Sequence, residues 1–134
     1  MFKIKSHLCL LFILSIILCS FTGCGSKNSN IILLEEPDPI IYPESYHQVI
    51  REFPSDLTVE PITDYMDAAD KGQQLWIEQL GDYAADYLDR DIKVFYVAED
   101  DAWAVVGTLP DDYVGYWPIA IIKADGAVLS VFWV

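Results

Sequence analysis

Beyond residue 24 the 134-residue sequence contains no cysteine and a single histidine, His47. The missing thiols exclude a disulfide framework and a Cys–His nucleophile pair from that part of the chain, and together the two shortages leave zinc without its usual ligands. Stability must come from a packed core. Basic residues are also scarce, 8 Lys and Arg against 21 Asp and Glu, for a formal net charge of −13. Nucleic acid is therefore not an expected partner, because phosphate binding needs a basic face. An acidic surface attracts a basic protein, a cationic peptide or a metal ion instead, although keeping the protein soluble is the plainer reason for such charge. The acids follow no metal-loop pattern. Asp89-Arg90-Asp91, Glu99-Asp100-Asp101 and Asp111-Asp112 lack the alternation, central glycine and terminal glutamate of an EF-hand, and they read as turn and cap residues. Neither a metal nor a cofactor is expected, and no internal repeat is present.

Apolar residues are abundant: 53% of the chain is hydrophobic and 13% aromatic. The longest apolar run, Leu8 to Phe21, follows Lys3 and Lys5 and is broken only by Ser15 and Ser20. As a helix it would span roughly 20 Å, short of the roughly 30 Å of a bilayer's hydrocarbon. The charge layout is that of a secretory leader. Phe21-Thr22-Gly23-Cys24 then resembles the lipobox of bacterial lipoproteins, with Phe21 standing where Leu is usual. The resemblance covers these first residues only. It implies that residues 1–23 are a signal peptide, that a diacylglyceryl group joins the Cys24 sulfur, and that Cys9 and Cys19 leave with the leader. The domain would then be lipid-anchored in the cell membrane or outer membrane, outside the cytoplasm. Two acyl chains at about 0.8 kcal/mol per buried CH₂ hold such a protein firmly. Loss of Lys3 and Lys5 would take the charge from −13 to −15.

Residues 24–43 read as a spacer: a small polar stretch from Gly25 to Asn30, then Ile31-Ile32-Leu33-Leu34, then a tract stiffened by Pro37, Pro39 and Pro43. Ile31 to Leu34 is too apolar for free linker, and it is either a short strand at a sheet edge or a tucked-in arm. Residues 44–134 are expected to form one globular domain. Ser45-Tyr46-His47-Gln48 has the form of a capping box, and Tyr46, Val49, Ile50 and Phe53 follow at helical spacing until Pro54. A second helical region begins at Thr63 or Asp64. Its apolar face runs from Met66 through Trp76 to Leu88, with Asp67–Lys71 and Asp86–Arg90 as i,i+4 pairs. Gly72 predicts a kink or a left-handed cap there.

From Ile92 the period changes to two. Ile92 to Glu99 and Ala102 to Leu109 read as strands about an Asp100-Asp101 turn. Ile119 to Ala124 and Ala127 to Val134 flank Asp125-Gly126, the signature of a type I′ hairpin. Lys123 and Ser130 are the only non-apolar residues between Ile119 and Val134 outside that turn. A half-exposed sheet should alternate more cleanly, so either both faces are covered, one by the helices and one by the amino-terminal arm or a partner, or the hairpin is central. The fold class expected is α+β: amino-terminal helices packed on an antiparallel sheet of about four strands, a meander ending in a hairpin. Helices followed by a curved antiparallel sheet are similar to the nuclear-transport-factor-like and cystatin-like superfolds, a likeness of pattern that carries no function.

Catalytic chemistry is poorly supplied. A Ser–His–acid triad would need His47 with one of Ser26, Ser29, Ser45, Ser55 or Ser130, and none sits in a nucleophile-elbow context. Carboxylate pairs suffice for glycoside cleavage, and 21 acids supply many chance pairs. The densest stretch is Asp111-Asp112-Tyr113-Val114-Gly115-Tyr116-Trp117-Pro118. Exposed, Tyr113, Tyr116 and Trp117 beside Asp111 and Asp112 would form a sugar-stacking or protein-docking patch that could also meet a cation; buried, they cap the core. The expected function is a tethered, non-enzymatic module binding a protein or small ligand. The alternatives are a cell-envelope hydrolase using paired carboxylates and an acidic, immunity-type inhibitor of a cationic protein.

Overall fold

The computed structural model describes residues 30–37 and 46–134. The leader, Cys24 and Ser45 of the expected capping box lie outside them. The elements are β1 (Ile31–Leu34), α1 (Tyr46–Glu52), α2 (Tyr65–Leu80), a 3-10 turn (Asp82–Tyr87), β2 (Ile92–Val97), a short 3-10 turn (Ala98–Asp100), β3 (Ala102–Gly107), β4 (Pro118–Lys123) and β5 (Val128–Trp133). The fold is α+β, with helices against an open, mixed sheet in the order β1-β2-β3-β4-β5. There are five strands rather than about four, and the sheet is not wholly antiparallel. β2 to β5 form the expected meander, whereas β1 joins parallel to β2 with Ile31 opposite Ile92 and Leu34 opposite Phe95. Of the two readings of Ile31 to Leu34, the edge strand is the one adopted.

α2 begins at the expected place, with Asp64 as its N-cap. The Asp64 side chain accepts from the Asp67 N–H at 2.9 Å, and the Asp67 carboxylate accepts from the Thr63 N–H at 2.9 Å, so one orphan amide of the first turn and the amide just before the N-cap are satisfied reciprocally. The Lys71 ammonium sits 2.7 Å from Asp67. This ammonium, then the Thr63 N–H, hold the Asp67 carboxyl below the usual carboxylate range. Gly72 neither kinks nor caps the helix, which runs through it to Leu80. Its role is proximity: a Cβ here would lie 2.6 Å from Cβ of Val105 on β3. The helix stops at Gly81 instead, whose φ of +86° is open to glycine and costly to other residues.

α2 presses Ala68, Ala69, Leu75 and Trp76 onto Ile92, Val94, Val105, Ala120, Ile122 and Val128, one continuous core on one face of the sheet. On the other face, Tyr46, Val49 and Ile50 of α1 join Phe95, Ala104, Val106, Ile119, Ile121 and Phe132. Both faces of the terminal hairpin are thus apolar because helices lie on both, which explains the lack of alternation between Ile119 and Val134. The second face meets α1 rather than the arm or a partner, since the arm's Ile31 to Leu34 joins the sheet edge, and the hairpin is not central, because β5 forms the opposite edge. The buried Ser130 is satisfied by donating to the Phe53 carbonyl at 2.8 Å. Inside α2, the Gln73 amide and the Trp76 indole N–H are buried with no hydrogen-bond partner among the described residues.

The terminal hairpin differs from the type I′ expectation. Only Gly126 of its turn has positive φ, +95°. Gly126 N–H donates to the Lys123 carbonyl at 2.9 Å and Lys123 N–H to the Ala127 carbonyl at 2.8 Å. That is a type I turn closed by a left-handed glycine, which adds one residue to the loop. The longer loop lets the Val59 N–H reach the Gly126 carbonyl at 2.8 Å, so the strap leading into α2 is sewn to the hairpin.

Candidate functional site

An open groove of about 570 Å³ is lined by Leu80, Tyr83, Asp86, Tyr87, Tyr116 and Trp133. Three distant segments build it. Gly81 ends α2 and turns the chain, so Tyr83, Asp86 and Tyr87 come from the 3-10 turn rather than continuing the helix face that buries Trp76. Tyr116 comes from the loop between β3 and β4, and Trp133 from the end of β5. The walls support one another. The Tyr87 hydroxyl donates to the Tyr116 carbonyl, and the Tyr87 ring leans on Trp133 with centroids 5.6 Å apart. The Arg90 guanidinium lies over the Tyr87 ring at 4.9 Å, an attraction between cation and ring quadrupole.

The aromatic turn singled out in the sequence divides. Tyr113 and Tyr116 are exposed, and Asp111 and Asp112 stand in solvent beside them. Trp117 is half-buried against the α1-side core, and its backbone pairs in both directions with Val134 at 3.1 and 3.0 Å. Only Tyr116 of the five enters the groove. Its partners Tyr83, Asp86, Tyr87 and Trp133 were not singled out, because their separation in sequence hides the meeting. The available signal was Gly81, which interrupts a helix face whose next aromatics, Tyr83 and Tyr87, then need a different neighbour.

A second polar cluster lies at the other side of the sheet. His47 on α1 sits 3.7 Å from Glu99 and 3.9 Å from Asp100, one ring nitrogen toward each, and edge-on to Tyr46 at 5.0 Å. Neither carboxylate is within hydrogen-bonding distance, and the imidazole side chain is 48% exposed. An imidazole so placed faces an acid on each side, but no hydrogen bond locks it in one tautomer as the base of a triad is locked. Nearby, the Tyr96 hydroxyl donates to Asp101, which raises the tyrosine's pKa. Among the described residues no group of three or more His, Cys, Asp or Glu could hold a metal ion. No helix among them is long and apolar enough to cross a membrane.

No protein-family model, no curated protein and no solved structure matches this chain. It is a small domain with a His–Asp/Glu cluster at one surface and an aromatic groove at another.

Proposed function

We propose that this protein is an acidic, immunity-type inhibitor that binds a cationic protein, tethered through a lipid on Cys24. The observation that carries the reading is charge: 21 acids against 8 bases leave a strongly negative field around the domain. The few bases near acids are already engaged, Lys71 with Asp67 and Lys123 with Asp125. A field of this kind accelerates encounter with a basic partner and rejects acidic ones. The full chain in neutral detergent should bind an arginine-rich peptide with an affinity that falls at least about tenfold between roughly 0.05 and 0.5 M salt. An affinity indifferent to salt contradicts the reading. For the tether, mass spectrometry of native material should find the leader removed and Cys24 acylated; an intact leader or a free thiol contradicts that part.

One observation favours a second reading, a hydrolase. His47 between Glu99 and Asp100 supplies an acid–base pair with a second carboxylate at hand. It would work by proton transfer to a leaving group, with the other acid activating water. Hydrolysis of envelope glycan fragments that disappears in His47→Ala and in Glu99→Gln together would establish it; turnover unaffected by both would dismiss it.

A further inference from the structure

We infer that the groove of Tyr83, Asp86, Tyr87, Tyr116 and Trp133 is the site at which a basic protein segment inserts an arginine side chain. This assignment rests on the inhibitor reading and names the place where it acts. Three observations converge. First, four aromatic rings face a cavity of about 570 Å³, ample for a guanidinium and the flanking backbone of a peptide. Second, among the described residues of the lining Asp86 is the only charged side chain, and it is acidic. The segment that carries it, Asp82 to Asp91, holds four aspartates against Arg90, and the opposing loop adds Asp111 and Asp112. The segments that build the groove thus carry six aspartates against one arginine. Third, Arg90 already lies over the Tyr87 ring at 4.9 Å, so one ring of the groove wall makes a guanidinium contact within this molecule.

The chemistry favours arginine over lysine. A planar guanidinium can stack on a tyrosine or tryptophan face while its edge donates two N–H groups to one carboxylate, whereas an ammonium offers a point charge and no plane. The groove supplies both halves of that recognition: rings for the face and Asp86 for the edge. A neutral glycan would use the rings but leave Asp86 without a charged partner. The walls are also held before any ligand arrives, by the Tyr87–Tyr116 hydrogen bond and the Tyr87–Trp133 contact. Little ordering is left for the partner to induce.

The test compares three peptides of alternating residues with glycine, carrying arginine, lysine or citrulline, on the full chain in neutral detergent by calorimetry at low salt. Citrulline keeps the shape of arginine and removes its charge. The arginine peptide should bind most tightly and the citrulline peptide should not bind. Asp86→Asn and Tyr116→Ala should each weaken the arginine peptide by about tenfold. Asp70→Asn, which removes the same charge from the exposed side of α2, should change it by less than about twofold. Equal losses in all three variants would overturn the groove assignment while leaving the acidic-inhibitor reading standing. Citrulline binding as tightly as arginine would likewise overturn it. If the arginine peptide does not bind the unsubstituted chain at all, both fall together.

Discussion

Trp76 and Tyr83 lie seven residues apart, and they meet opposite fates. Trp76 is wholly buried between α2 and the sheet, while Tyr83, just past Gly81, is 82% exposed beside Tyr116 at 74%. The two regions contain the same kinds of residue, aromatics with a glycine at hand, so composition does not distinguish them. Backbone direction does. Through Gly72 the helix is drawn onto Val105, close enough to exclude a Cβ; after Gly81 the chain leaves the helical path, so that Tyr83 stands in solvent and Tyr87 meets the sheet only at its rim, against Trp133. In the first region aromatic surface is spent on folding, and in the second it is left available for a partner.

If that contrast is right, substitutions in the two regions should separate folding from binding. Trp76→Ala should have the largest effect, lowering the unfolding free energy by about 3–5 kcal/mol in denaturant titration. Gly72→Ala comes next at about 1–3 kcal/mol, because the added methyl would meet Val105 rather than solvent. Gln73→Met acts in the same interface with opposite sign. It removes a buried amide that lacks partners and should raise stability by about 1 kcal/mol. Loss of stability in Gln73→Met would mean that the amide is satisfied by something bound in the core.

Acid tests the capping end of α2. The Asp67 carboxyl is held below its usual value by Lys71 and the Thr63 amide, so its contribution is present above the unfolded-state value of about 3.9 and is lost as pH falls through the lower folded-state value. Asp67→Asn should therefore flatten the acid limb of the stability profile below about pH 4 and leave its neutral-pH shape unchanged. The smallest effect belongs to the groove. Tyr83→Ala should move unfolding by less than about 0.5 kcal/mol. A loss comparable to that of Trp76→Ala would erase the distinction between the two regions.

Much of the frame was legible in the residues. Period-two alternation from Ile92, the helix start at Asp64 with the Asp67–Lys71 pair behind it, and the apolar hairpin between Ile119 and Val134 each map onto an observed feature. What was not legible depended on distance. Nothing local to Ile31 to Leu34 indicates a parallel partner, because pairing with Ile92 to Phe95 is set by packing some sixty residues away. Gly72 invited a break because glycine is a poor helix former, yet the close approach of Val105 outweighs that preference. Asp125-Gly126 suggested a two-residue turn, whereas hydrogen bonding to Val59 suits the longer loop. The groove was hidden for the same reason: Tyr116 stood out within a dense run, while Tyr83, Tyr87 and Trp133 each looked like ordinary core aromatics in their own segments.

The most direct measurement is a map of amide and indole NMR shifts as the arginine–glycine peptide is added to the full chain in detergent micelles. Shifts should concentrate at Tyr83 to Arg90, at Gly115 and Tyr116, and at the Trp133 indole, with α2 between Tyr65 and Trp76 unmoved. Shifts spread evenly over the exposed acids, or gathered at His47 and Asp100, would contradict the division of labour between core and groove.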